Sequence, residues 1–452
     1  MIEIIQTAKE FGYWSKRYIA DFSPQFPDKR ANISLFPRRQ YQKIIGFGGA
    51  FTEAACYNIM MASPQTIEMI MRAYFTAEGL RYNLGRMTIN SCDFALGSYV
   101  YVSEGDTQLS TFTLARDEKY VIPVVEIAKS VSSYPLRLLA SPWSPPAYMK
   151  TNDSMIGGGK LKPECYSLWA RYIARYLNEM KKRHINIEFI SVQNEPEATQ
   201  RWESCLYTGK EEAQFILDYL YPVLVNQGLE KIKIIAWDHN RDRLIQRAND
   251  IYAKEEVRNI VWGLGYHWYV SDEHQNLSIV HNQYSDKHLL FTEGCVELAN
   301  RNNGFSEIGL WKHGETYGRN MINDFNNYCE GWIDWNLVVD ETGGPNHAKN
   351  YCEAPIVYNH QTKEVTFNPS YYYIGHFSKF VAPDARRIHT EVSGTSKVIS
   401  ASFLNPNNDI TTIIQNEGRA IKMTLQLDGQ GTVIKLPAHS ITTVLMHNKQ
   451  RG

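Results

Sequence analysis

From about residue 41 to residue 380 the chain repeats one unit, a short apolar run ending in polar or aromatic residues and followed by a helical pattern or a long loop. Eight such runs occur: "QKIIGFGG" (42–49), "RYNLGRMTI" (81–89), "LRLLASPW" (136–143), "IEFISVQN" (187–194), "KIIAWDHN" (233–240), "IVWGLGYHWY" (260–269), "HLLFTEGC" (288–295) and "EGWIDWNLV" (330–338). Eight short strands alternating with helices predict an α/β fold, a (β/α)8 TIM barrel. Among the connectors, "SLWARYIARYLNEMKKR" (167–183) sets Leu168, Ile173, Tyr176, Leu177 and Met180 at helical spacing, with basic residues in its last turn. "EEAQFILDYLYPVLVNQ" (211–227) reads as a second helix, which Pro222 is expected to kink or break.

After residue 384 the texture changes. Thr, Val and Ile dominate, punctuated by Asn-Pro-Asn-Asn, Asn-Glu-Gly and Asp-Gly-Gln-Gly. Short antiparallel strands joined by such turns predict an all-β sandwich. The first forty residues fit no barrel unit and are expected to lend strands to that sandwich. The reading is therefore a segment 1–40 contributing to the sandwich, a catalytic barrel over 41–383 and a C-terminal sandwich over 384–452.

Composition narrows the function. A net charge of −1 supplies no basic field for nucleic acid or anionic membranes. No apolar run approaches the roughly 20 residues of a membrane span. The seven cysteines lie scattered, with no CxxC pair and no Cys/His zinc spacing, so no metal and no cofactor is expected. The first residues, "MIEIIQTAKEFGYW", lack the basic and apolar regions of a signal peptide, and free thiols fit a reducing interior, so a cytoplasmic location is expected. Aromatic residues make up 12% of the chain, enough to serve as platforms for flat ligands such as sugar rings as well as core.

A TIM barrel carries its chemistry at the C-terminal ends of its strands. The fourth run ends in Asn194-Glu195 and the seventh in "FTEGC" with Glu293. Strands four and seven lie on opposing walls, so these carboxyls can face each other across the mouth. Paired carboxyls flanking a glycosidic bond are what hydrolysis of that bond requires: about 5–5.5 Å apart for retention, roughly 6.5–9.5 Å for inversion. Sequence leaves that distance open. Pro196 cannot extend the strand ladder, which favours Glu195 over Glu197 as the rigidly held group.

Other strand ends supply a supporting cast. Asn194 is placed to bond a sugar 2-hydroxyl, and Tyr269 in "YHWY" to restrain the opposing carboxylate. Trp143 in "SPWSPP" and Trp335 in "WIDWN" offer apolar walls. His267 reads as a satisfied structural histidine. "GFGGAF" (46–51) lacks the last glycine of the dinucleotide fingerprint and "GGGK" (157–160) lacks the P-loop spacing, so both read as tight turns.

With these residues assembled, the chain resembles glycoside hydrolase family 30, the glucosylceramidase-like family, in a bacterial-type form. The marks are "GFGGAFTEAA", "SCDF", "SPWSPPAYMKTN", "QNEPEA", "HWY", "FTEGCVE", "GWIDWNLVVDETGGPN" and "YYYIGHFSKF", in one order over nearly the whole chain. The resemblance implies a barrel joined to a β-sandwich and a retaining mechanism, with Glu195 as acid/base and Glu293 as nucleophile. It also implies that Asp93 binds distal sugar hydroxyls, that Trp143, Asn194, Tyr269 and Trp335 line the same subsite, and that Asn346 lies beside it. His347 and Glu197 stand where the glucosylceramidase pattern has an aromatic and a small residue, which puts a ceramide aglycone in doubt.

The expected activity is exo-acting hydrolysis of terminal β-linked sugars (glucoside, xyloside, fucoside or glucuronide), with a small β-glycoside or oligosaccharide as partner. Glu195 is expected to have a raised pKa, because anionic Glu293 disfavours a second charge. Rival readings are a non-catalytic carbohydrate-binding barrel, a transglycosylase using the same two glutamates, and a metal-dependent barrel hydrolase.

Overall fold

A computed structural model describes residues 2–22, 31–300, 304–305 and 307–447; the parts of the expected terminal segments at 23–30 and 448–452 lie outside the described residues. Eight parallel strands close into a barrel: β1 (Gly46–Ala50), β2 (Leu84–Ile89), β3 (Arg137–Pro142), β4 (Ile187–Ser191), β5 (Lys233–Asn240), β6 (Val261–His267), β7 (His288–Glu293) and β8 (Gly331–Asn336). They follow one another in chain order around the wall, and β8 closes on β1. Each strand falls inside or within one residue of its predicted run. β1 corrects one reading: "GFGGA" is a fully buried strand and not a turn. Its glycines serve close approach, since a Cβ on Gly48 would come within 2.0 Å of the Leu84 carbonyl oxygen on β2. "GGGK" does turn, with Gly157, Gly158 and Gly159 all at positive φ.

The helix Tyr166–Lys182 buries Leu168, Ile173, Tyr176, Leu177 and Met180 against the barrel, as its periodicity predicts. Pro222 acts less abruptly than a break. Helical backbone runs unbroken through Gly209–Phe215, a π-helical turn at Ile216–Leu220 and Tyr221–Asn226, and the π-helical turn just before Pro222 is the irregularity that accommodates it.

Nine further strands form the sandwich. Ile2–Ala8 pairs with both Gly12–Ala20 and Ser440–Met446, and Asn32–Lys43 inserts between Arg386–Ser393 and Ile421–Leu427. N-terminal and C-terminal strands thus share one β structure over a core that includes Ile4, Ile33, Leu35, Ile388, Leu425 and Ile434. The helix Pro369–Ser378 joins it to the barrel, and His376, fully buried on that helix, bonds Thr7 and Thr443 of two sandwich strands at 2.9 and 2.7 Å. Among the described residues, no helix is long and apolar enough to cross a membrane.

Candidate active site

Arg86 organises the barrel mouth. It sits in β2, whose six residues are all buried, and is itself 0% exposed. A guanidinium so placed must spend all of its N–H groups on protein acceptors. Nη1 donates to Glu293 Oε2 at 2.8 Å and to the Thr292 carbonyl at 3.0 Å. Nη2 donates to Asn194 Oδ1 and Asp238 Oδ2, each at 2.8 Å, and Nε donates to Ser141 Oγ at 3.2 Å. One side chain therefore ties together strands β2, β3, β5 and β7 and Asn194, three residues beyond the end of β4.

Asp238 reaches this centre through an irregularity in β5. The register with β6 shifts between Trp237 and His239, and Trp237 and Asp238 both adopt left-handed backbone (φ 72° and 53°). Such backbone is costly for non-glycine residues and persists where its surroundings enforce it. Asp238 accepts from Ser191 Oγ at 2.5 Å, Thr292 Oγ1 at 2.6 Å and His267 Nε2 at 3.1 Å, besides Arg86. Burial pushes its carboxyl up, but the Arg86 charge and the bond from His267 outweigh burial and hold it well below the usual range.

Glu195 follows β4, also in left-handed conformation (φ 46°), with its N–H bonded to the Asp238 carbonyl at 3.0 Å. Its Oε1 lies 3.1 Å from His267 Nδ1 and 3.6 Å from His239 Nδ1. Glu293 ends β7, where Tyr269 Oη donates to its Oε1 at 2.9 Å and Arg86 holds its Oε2. The two glutamates line one cavity of about 720 Å3 together with Asp93, Trp143, Asn194, Trp202, His239, Tyr269, Trp335 and Asn350. Trp143 and Trp335 stack on each other, their centroids 5.3 Å apart, with the Arg86 guanidinium over both rings.

The electrostatics reverse one expectation. Burial raises both glutamates, but His239 and His267 pull Glu195 down to about 2. Glu293 stays raised, since burial and the Glu195 and Asp238 carboxylates outweigh His267 and Arg86. Repulsion between the two glutamates would raise Glu195, but the imidazoles beside it decide the outcome. Burial alone would lower His267, yet Glu293, Asp238 and Glu195 together hold it up to about 9. Two cations, Arg86 and His267, thus face three carboxyls.

Seven of the eight predicted residues line the cavity. Asn346 does not. Its Nδ2 donates to Asp93 Oδ2 at 3.0 Å and to the Asn350 carbonyl at 2.9 Å, and its Oδ1 accepts from the backbone N–H groups of Ala348 and Asn350. Its polar atoms are committed to holding Asp93 and a loop, so Asn350, which lines the cavity and also bonds Asp93, takes its place in the wall. Glu197 points away from the cavity into ion pairs with Arg247 and Arg243. Sequence reasoning passed over Arg86, Asp238 and His239. A lone arginine inside an apolar barrel strand is the signal that finds the first, because such a charge must meet carboxylates. His267, read from sequence as a structural histidine, bridges Glu195 and Asp238.

The profile described as the glycosyl hydrolase family 30 TIM-barrel domain matches residues 44–381, and that of the family's beta sandwich domain matches 384–444. The lysosomal acid glucosylceramidase of Mus musculus is 31% identical over 91% of this chain and 83% of its own length. An endo-1,6-beta-D-glucanase of Aspergillus fumigatus is 27% identical over 89% and 84%. Among solved structures, SrfJ from Salmonella typhimurium superposes with a TM-score of 0.94 at 37% identity, covering 99% of this chain and all of SrfJ. A solved endo-beta-1,6-glucanase gives a TM-score of 0.87 at 25% identity, again over 99% of this chain and all of its own. A barrel and sandwich matched over nearly their whole length place this chain in glycoside hydrolase family 30, and it is a glycoside hydrolase.

Proposed function

We propose that the enzyme is a retaining, exo-acting β-glycosidase that removes terminal β-linked sugars by double displacement. One observation carries this reading: Glu195 and Glu293 end opposing strands of one cavity and are joined through Arg86, Asp238 and His267. Glu293 attacks C1 while Glu195 protonates the aglycone oxygen; Glu195 then takes a proton from water as it attacks the glycosyl-enzyme. Arg86 and Tyr269 hold the attacking carboxylate in place.

The two glutamates titrate as a pair, and the sugar decides which one keeps the proton. A glycosidic oxygen can only accept, so it favours a protonated Glu195. Sugar hydroxyls donate, so they favour an anionic Glu293. Asn194, with its Oδ1 taken by Arg86, has an amide N–H left to offer the ligand. Asp93, fixed by Asn346 and Asn350, suits the distal hydroxyls, with Trp143 and Trp335 as the apolar wall.

Kinship with endo-1,6-glucanases supports a second reading, attack inside a β-1,6-glucan, and Gln200, Arg201 and Trp202 do extend the cavity wall beyond Glu195. Seven free thiols, six of them buried, fit a reducing compartment and support a cytoplasmic location. The test is a panel of aryl β-glycosides beside a linear β-1,6-glucan, with NMR of the first-formed anomer. A β-anomer and release of single sugars are expected. A first-formed α-anomer would overturn retention, and internal cleavage of the glucan would replace exo action by the second reading.

A further inference from the structure

Glu195, His239 and His267 stand at or just beyond the ends of three consecutive strands, β4, β5 and β6, and present one oxygen and two nitrogens to a common point. The three ligand atoms lie within 4.8 Å of one another. Glu195 Oε1 is 3.1 Å from His267 Nδ1 and 3.6 Å from His239 Nδ1. Around a tetrahedral cation with bonds of about 2.0–2.1 Å, neighbouring ligand atoms sit roughly 3.3 Å apart. The two glutamate–histidine spacings straddle that value, and the spacing between the two histidine nitrogens is at most 4.8 Å.

Two further features are those of a metal site. The other nitrogen of His267, Nε2, meets Asp238 Oδ1 at 3.1 Å, and Asp238 is itself fixed by Arg86, Ser191 and Thr292. A carboxylate behind the imidazole is the arrangement that orients a metal-binding histidine and raises its basicity. At His239, Asn240 Oδ1 is committed to the Tyr269 N–H at 2.8 Å, so it is the Asn240 amide nitrogen that faces His239 Nδ1, at 3.3 Å. That contact marks Nδ1 as the unprotonated nitrogen, and a cation there takes over the lone pair to which the Asn240 amide donates. Glu195 and His239 line the cavity and are each 13% exposed by side chain, so solvent reaches the point and a fourth position is open to water.

We propose that Glu195, His239 and His267 bind a divalent transition-metal cation of the zinc class, the cation displacing the His267 Nδ1 proton to solvent, and that this binding shuts the hydrolase off reversibly. The occupied Glu195 carboxylate can no longer pass a proton to the leaving oxygen, a consequence that rests on the role proposed for Glu195 above. Two imidazoles select zinc, copper, nickel or cobalt over magnesium and calcium, which take oxygen ligands. Short sequence spacing could not show the site, because its ligands come from three separate strand ends.

Cobalt(II) is the direct probe. The full chain, stripped with chelator, is titrated with cobalt(II) while visible d–d absorption is followed, and zinc(II) is then added. One equivalent with the intensity of a four- or five-coordinate site, displaced by zinc, is expected. In parallel, zinc(II) inhibition of alkyl glycoside hydrolysis, which needs the proton from Glu195, is measured for wild type and for His239→Asn, each relative to its own metal-free rate. The half-inhibiting zinc concentration should rise at least tenfold in the variant, and magnesium should not inhibit either protein. No stoichiometric cobalt spectrum, or unchanged zinc inhibition in a folded His239→Asn, overturns the metal site and leaves the glycosidase reading intact. A cobalt site that disappears in His239→Asn, combined with full hydrolysis of alkyl glycosides by Glu195→Ala, would instead keep the site and overturn the role given to Glu195.

Discussion

Arg86 donates from the barrel interior to Glu293 at 2.8 Å, and the same guanidinium donates to Asp238 at the same distance. Neither carboxylate is reached by another arginine or lysine among the described residues, so Arg86 is the charge that bridges the two. Arg86→Met would leave both carboxyls buried without it. Breaking a buried pair in this way costs about 3–5 kcal/mol, so the thermal midpoint should drop by many degrees. Arg86→Lys keeps the charge but loses the fork that reaches Asn194, Asp238 and Glu293 together. It should lower kcat at least a hundredfold with a smaller loss of midpoint. Differential scanning fluorimetry beside aryl glycoside kinetics separates the two effects, and an active Arg86→Met would refute the organising role.

The glutamates should divide by leaving group. Glu293→Gln removes the attacking carboxylate and is expected to cut turnover by at least 10⁴ for every substrate. Glu195→Ala should spare aryl glycosides whose phenols leave without protonation while nearly abolishing alkyl glycosides. With aryl glycosides, azide should speed the second step, for which Glu195 is missing as base, and yield a β-glycosyl azide. Equal loss on both substrate types, with no azide effect, would remove Glu195 from the acid/base role.

How far the sequence carried the reading follows from what each signal depends on. Strand positions were legible because an apolar run of barrel-strand length is a local pattern, and all eight appear. Glu195 and Glu293 were legible because a strand end is a position in that pattern. Asn346 does lie beside the pocket, but sequence puts a residue on a loop without saying which of its atoms the loop consumes, and here Asp93 and the loop take them all. Asp238 and His239 were missed for a related reason: a β-bulge with left-handed backbone turns them, and no glycine marks it. The direction of the Glu195 shift was wrong because it depends on two imidazoles brought from other strands.

Asp93 should set function against stability. Burial is the main cause that raises its carboxyl to about 7, against the bonds from Asn350 and Asn346 that lower it. Its folded pKa exceeds the unfolded value, so the folded state holds the extra proton and stability falls as pH climbs from about 4 to 7. Near pH 8 the penalty reaches about 4 kcal/mol at most, from about 1.4 kcal/mol per pKa unit. Asp93→Asn removes the titration. It should raise the thermal midpoint more at pH 8 than at pH 5, while lowering kcat/KM at least tenfold. A midpoint change that is the same at both pH values would show that Asp93 is not carrying this shift.

His376 has the opposite sign and acts at the junction of the two β structures. Burial lowers its pKa to about 3. Its ring, wedged between Thr7 and Thr443, is therefore neutral in the fold and protonates on unfolding below about pH 6.5. The unfolded chain binds more protons in the window from about 6.5 down to 3. Stability from this group is thus complete above pH 6.5 and is lost as pH falls, by about 2 kcal/mol at pH 5. His376→Gln keeps an acceptor and a donor for the two threonines but cannot titrate. Its thermal midpoint should fall less between pH 7 and pH 5 than that of the wild type, even if it starts lower. Parallel pH dependence in the two proteins would mean that acid weakens the molecule elsewhere and that the helix–sandwich junction is not its sensitive point.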